Sequence, residues 1–243
     1  MAADLANIDF YHHRLSPFAM VSKVVLLNYN INHTEHEVDL SSGQHKQAWY
    51  LKINPDGTIP SIKDDDYCLS ESIAQSRYLC ERSKIESKFY PFHDAKLMAI
   101  QNMWLDFAGG KFRYKTMTCY FQIFIGPTFF NTPMHSIEMQ NKFVDDVKIV
   151  YKEFDKKIEK AGTDYLTGDE ISLADVYLAI MVLTLVDSSI MTLHEYPFIQ
   201  AWFERVAQNE HIAYVRRRRR NLMKLAVIFM KYLRPVIKCL MGI

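Results

Sequence analysis

The chain has 243 residues, 49% of them hydrophobic, which suits a globular protein with a sizeable core, in one large domain or two small ones. Its net charge of +1 hides an asymmetry: from His211 onward there are nine Lys/Arg and no acid, leaving 20 bases against 28 acids, a net of −8, in residues 1–210. An acidic body argues against a nucleic-acid partner, and Cys68, Cys80, Cys119 and Cys239 form neither a CxxC pair nor a zinc-like grouping with His. Free thiols, no metal site and a reducing compartment follow. The N-terminus lacks the basic, apolar and small-residue series of a signal segment, so the expected location is cytoplasmic.

In chain order, "NIDFYHH" predicts a first strand, and "SPFAMVSKVVLLNYN" predicts a helix with a serine ahead of Pro17. "TEHEVDL" alternates as a strand, "SGQHKQAWYLKI" reads as a short helix or loop, and "TIPSIKDDDYCLSES" as a hairpin turning at its three aspartates. "SESIAQSRYLCERS" closes the unit as a helix. After the break at "KIESKFYPFH", helical periodicity predicts helices over about 94–124, 133–161, 172–188 and 196–208, and no strand. The expected fold is α+β followed by α: a small α/β domain over 1–84 and a larger all-helical domain over 93–243.

Pro60 cannot donate to a sheet ladder, so it belongs at a strand start or edge. A cis Ile59-Pro60 bond would turn the N–H and C=O of Ile59 outward for another peptide to pair with; a trans bond would simply open an edge strand. The aspartates suit a polar hairpin tip better than a metal site, because consecutive turn residues cannot converge on one ion. Glu71 and Ser72 stand at a helix N-terminus, where free N–H groups attract an anion and a carboxylate can hold an ammonium. That pairing fits an amino acid head group, and plain N-capping accounts for the same residues.

In order and spacing, "SPFAMVSKVVL", "GQH", "NPDGTIPSIKDDD", "LSESIAQSRYL" and "TGDEISLADVYLAIM" closely resemble the cytosolic glutathione transferases, with the theta class most similar. The resemblance spans about residues 7–210 and implies a thioredoxin-like N-terminal domain followed by an all-helical bundle. It implies glutathione as co-substrate, a small hydrophobic electrophile as second substrate and a homodimer. It also implies a cis Pro60 presenting Ile59, next to Thr58, to the cysteinyl unit, Glu71 and Ser72 on the γ-glutamyl end, and His45 on the glycyl carboxylate. A free thiol titrates near ~8.5, so a transferase must favour the thiolate; lowering that value by about 2 units requires roughly 2.7 kcal/mol. Ser16 matches the family's catalytic serine, and its other role, capping the first helix, competes for the same hydroxyl. Tyr11 is the alternative, since other classes use a tyrosine near the end of the first strand.

Trp104, Phe107, Phe112, Tyr114 and Met117 are the candidate electrophile pocket, though each suits the core equally well. Val21 stands where the family often carries a base, and Gly109-Gly110 interrupts a helix that usually bears bulkier residues. The tail from Arg216 to Ile243 predicts a basic amphipathic helix, too interrupted to span a bilayer because only six uncharged residues separate Lys224 from Lys231. Its greasy face either packs over the electrophile pocket or docks on an anionic membrane or larger assembly through residues 216–243. A second function class therefore stands beside the enzyme: a catalytically weak, transferase-like binding subunit held in place by its tail.

Overall fold

Alternation in the first strand, β1 (Ile8–His12), sends Ile8, Phe10 and His12 inward. The computed structural model describes residues 7–130 and 132–229. In it β1 pairs in parallel with β2 (His33–Glu37) and antiparallel with β3 (Ser61–Asp64), which turns into β4 (Tyr67–Leu69). The sheet order is β2-β1-β3-β4. The β1–β2 crossover is helix α1 (Pro17–Asn28), and α3 (Ser72–Ser83) packs beside α1. A single turn, α2 (Ala48–Leu51), lies between β2 and β3. This is the thioredoxin-like arrangement, and the helical half follows it.

Helix α1 also touches α8 (Leu173–Asp187) and α10 (Glu210–Ile228), so it joins the two halves. That contact explains Val21: it is completely buried in the core, where a charged side chain would be costly. Helix α8 is apolar on all sides, with every residue from Leu173 to Leu185 buried, and forms the centre of the bundle. Its N-terminus carries a capping box: Ser172 accepts from the Asp175 amide, and Asp175 accepts from Ser172 N–H at 2.9 Å. Helices α9 (Pro197–Val206) and α10 pack against it, and α7 (Ile137–Ala161) packs on α9. No described helix is long and apolar enough to cross a membrane.

The helix predicted over 94–124 is longer and less regular. It runs as α4 (Ala95–Phe107), α5 (Arg113–Tyr120) and α6 (Gly126–Phe129), joined by π-helical turns at Ala108–Phe112 and Phe121–Ile125. Gly110, with φ −84° and ψ −124°, is the off-helix residue of the first turn. The glycine pair is therefore a bend. The predicted tail helix begins earlier than expected, at Glu210 behind an Asn209 cap, and its part beyond residue 229 lies outside the described residues.

The aspartate triplet also differs from expectation. Asp65 and Asp66 form the turn, but Asp64 is 9% exposed and accepts from Tyr78 Oη at 2.5 Å and Arg82 Nη2 at 2.8 Å. Burial raises its pKa, but the Arg82 and Tyr78 hydrogen bonds outweigh this and leave it below the usual aspartate value. A depressed folded pKa means stability that is present above the ordinary carboxylate range and lost as pH falls through the folded value. Arg82→Met should therefore move the midpoint of acid unfolding to higher pH, as followed by circular dichroism.

Candidate active site

The site begins where β1 hands over to α1. Ser16 caps α1, its Oγ accepting from Ala19 N–H at 3.3 Å, with Pro17 in the first turn. Ser16 opens onto a cleft of about 620 Å³ between the two halves of the molecule. Across it stands the loop from Asn54 to Pro60, held rigidly from behind. Thr58 C=O accepts from Tyr50 Oη at 2.6 Å and Asn54 Nδ2 at 2.8 Å. Pro60 C=O accepts from Gln75 Nε2 at 2.8 Å.

The Ile59-Pro60 bond is cis, and among the described residues neither the N–H nor the C=O of Ile59 is hydrogen-bonded. Both neighbouring carbonyls are thus engaged by the protein, while Ile59, which lines the cleft, keeps its peptide groups free among the described residues. Gln75 was not singled out in the sequence, yet it is fully buried and also bonds Leu69 C=O at 2.9 Å and Ser22 Oγ at 2.9 Å. It ties α1, α3, β4 and the cis-proline loop together. A glutamine inside a helix gives no sequence signal of this.

Gly57 turns the loop with φ +58°, and a Cβ there would stand 2.6 Å from the carbonyl oxygen of His45. Only glycine meets both demands. Gly57→Ala should cost about 1–3 kcal/mol and weaken any ligand held by Ile59 and His45, read by denaturant midpoint and calorimetric titration. His45 lies in the 3-10 turn Gln44–Lys46 and lines the cleft; burial lowers its pKa, so near neutrality the ring is a neutral donor or acceptor.

The opposite wall is apolar and comes from Met117 of α5, Phe121 and Ile125 of the second π-helical turn, Phe129 of α6 and Phe130 just after it, with Leu222 of α10. Of the five pocket residues read from sequence, Met117 alone lines the cleft. Trp104 and Phe112 are buried, and Phe107 packs with both of them and Phe154 in one aromatic cluster, with ring centroids 5.2–6.1 Å apart. Tyr114 is 67% exposed on the outside. Each π-helical turn adds about one residue and rotates the following face by about 100°, so the pocket-facing set lies farther along the chain than regular helical phase implies.

Tyr11 does not line the cleft. It stacks on His36 at 4.7 Å beside Trp49 and Tyr50, and burial raises its pKa. Glu71 and Ser72 begin α3 outside the cleft wall. Glu71 has φ +63° and an exposed side chain, and Ser72 is buried in the first turn. A second residue missed in the sequence, Arg113, stands 3.7 Å from Glu71 and 5.7 Å over the ring of Phe18, which does line the cleft. His12 and His13 join no metal site: among the described residues no group of three or more His, Cys, Asp or Glu could hold an ion.

Residues 6–81 match the model of the glutathione S-transferase N-terminal domain, and residues 125–218 match that of the glutathione S-transferase C-terminal domain. A probable glutathione S-transferase of rice (Oryza sativa subsp. japonica), GSTF2, is 30% identical over 173 residues, covering 70% of this chain and 78% of that protein. Glutathione S-transferase theta-1 of Bos taurus is 28% identical over 171 residues, covering 70% and 69% respectively. The theta protein is thus no nearer than the plant one, and the likeness does not extend to class.

Among solved structures, poplar glutathione transferase F1 superposes with a TM-score of 0.79 at 24% identity, covering 89% of this chain and 99% of that one. The human T1-1 apo form gives 0.78 at 22%, covering 93% and 91%. A thioredoxin-like sheet, a helical bundle, an interdomain cleft and two matching family models lead to one assignment: the chain belongs to the glutathione S-transferase family, whose co-substrate is glutathione.

Proposed function

We propose that the protein conjugates glutathione to apolar electrophiles, or reduces peroxides with it, using Ser16 to stabilise the thiolate in the manner of the serine-type, theta-like enzymes. The observation that carries the reading is the geometry of one hydroxyl. Ser16 Oγ caps α1 through a lone pair, so its O–H remains available to donate into the cleft. Capping and catalysis therefore do not compete: the first uses the oxygen as acceptor, the second uses the proton as donor. Tyr11 is the weaker candidate, because its ring stacks on His36 and does not line the cleft.

In the same proposal the cysteinyl backbone pairs with Ile59 beside Thr58 and Pro60, and His45 meets the glycyl carboxylate. Glu71 holds the α-amine and Ser72, at the α3 N-terminus, the α-carboxylate. Arg113 beside Glu71 supplies positive charge that the buried Val21 position does not. The two domains are taken as 1–84 and 93–243, consistent with α3 ending at Ser83 and α4 starting at Ala95. A homodimer and a cytoplasmic location belong to this reading; Ile100 and Met103 of α4, 44% and 55% exposed, offer apolar surface for self-association. A membrane surface is the partner favoured for the tail, because Leu225 and Ile228 of α10 are exposed next to bases that make no ion pair among the described residues.

The test is glutathione conjugation to a panel of electrophiles and peroxides by wild type, Ser16→Ala and Tyr11→Phe. Loss confined to Ser16→Ala is the expected result. Glutathione binding without turnover in the wild type would favour the binding-subunit alternative instead.

A further inference from the structure

The run Arg216 to Arg220 divides by function. Arg216 donates to Asp187 at 2.7 Å, Arg218 reaches Glu35 of β2 at 3.1 Å, and Arg219 is fully buried with Nη1 3.2 Å from Met20 Sδ of α1. These three fasten α10 to the body. Arg217, Arg220 and, one turn on, Lys224 are exposed and make no ion pair among the described residues. On a helical wheel these three fall within about 60° of each other, and Leu222, Leu225 and Ile228 occupy the adjoining arc of about 120°.

That apolar arc is 37%, 64% and 48% exposed at the three positions. Leu222 also lines the cleft, together with Phe121 and Phe130, which are 44% and 39% exposed, their rings 6.0 Å apart. One continuous surface therefore runs from the cleft mouth along α10, apolar in the middle and basic along one edge. The sequence beyond, residues 230–243, adds Lys231, Arg234 and Lys238 and no acid. An apolar stripe edged by unpaired bases is complementary to an anionic bilayer, which accepts the stripe among its acyl chains and the bases among its headgroups.

Resting on the transferase reading above, we infer that α10 docks the cleft mouth against an anionic lipid surface and that the electrophile enters from the bilayer. A long-chain α,β-unsaturated aldehyde serves as the probe of such a membrane-dissolved electrophile. The glutathione thiolate adds to its β-carbon, a C–S bond forms as the C=C π bond breaks, and the α-carbon takes a proton from water. The thioether so formed carries glutathione's charges and leaves the membrane for water.

The full chain would be floated with vesicles of phosphatidylcholine alone and of phosphatidylcholine mixed with phosphatidylserine. Binding is expected only to the anionic vesicles, and the Arg217→Glu/Arg220→Glu/Lys224→Glu variant should lose roughly a hundredfold in affinity. Its turnover of a short-chain, water-soluble enal without vesicles should match wild type, which separates docking from folding. With anionic vesicles present, wild type should then turn over the long-chain enal several-fold faster than the variant. No binding of wild type to anionic vesicles would overturn docking. Binding with equal long-chain rates would overturn entry from the bilayer alone. Wild type bound to vesicles yet inactive on both enals and on the whole panel of electrophiles and peroxides would defeat the transferase reading and leave docking intact.

Discussion

Asp175→Ala is expected to destabilise the protein by about 3–5 kcal/mol, the largest single-residue effect outside the apolar core. Asp175 is fully buried, and its two oxygens accept from Leu166 N–H at 2.9 Å, Ser172 N–H at 2.9 Å, Ser172 Oγ at 2.6 Å and Trp202 Nε1 at 2.7 Å. Burial raises its pKa, and these donors oppose that rise. Removing the carboxylate strands four buried donors at once, joining the loop before α8, the α8 cap and α9. Thermal unfolding should move down by about 10 °C for a chain of this size. Asp175→Asn keeps the shape but turns an NH2 towards donors, so it should cost about half as much. An Asp175→Ala variant as stable as wild type would remove this node from the account.

Ser16→Ala should lower kcat/KM for conjugation by about 10–100-fold with little change in glutathione affinity. The reasoning is quantitative. A thiol brought about 2 units below its ordinary value needs roughly 2.7 kcal/mol of preferential stabilisation. A charge-assisted hydrogen bond from a hydroxyl supplies about 1.5–3 kcal/mol, and the α1 N-terminus adds about 0.3–1 kcal/mol. Deleting the hydroxyl leaves the helix contribution, so residual activity should remain and its acid limb should move to higher pH. The lost cap adds about 1 kcal/mol of destabilisation, to be measured separately. Tyr11→Phe should leave the profile essentially unchanged.

Much of this was legible in the sequence because the signals are local. Alternation in "NIDFYHH", the serine before Pro17 and the spacing of Ser172 and Asp175 each fix an element by chemistry within a few residues. The pocket wall was not legible. In "YFQIFIGPTFF" most residues are apolar, so no period selects a face, and two π-helical turns shift the phase before and within it. Gln75, Arg113 and Asp64 were missed for another reason. Their partners, Pro60 and Ser22, Glu71, and Arg82, are distant in sequence and are brought together only by the fold. The arginine run shows the same limit: composition gives a basic tail, but only packing separates the arginines that hold the helix from those that face outward.

The most direct measurement is the ultraviolet absorbance of the glutathione thiolate bound to the enzyme, titrated over pH in wild type, Ser16→Ala and Tyr11→Phe. A serine donor in the cleft predicts a bound thiol titrating well below the ordinary ~8.5 in wild type and Tyr11→Phe, and returning most of the way to it in Ser16→Ala. A Ser16→Ala enzyme whose bound thiol titrates like wild type would contradict the account, as would a shift lost only in Tyr11→Phe.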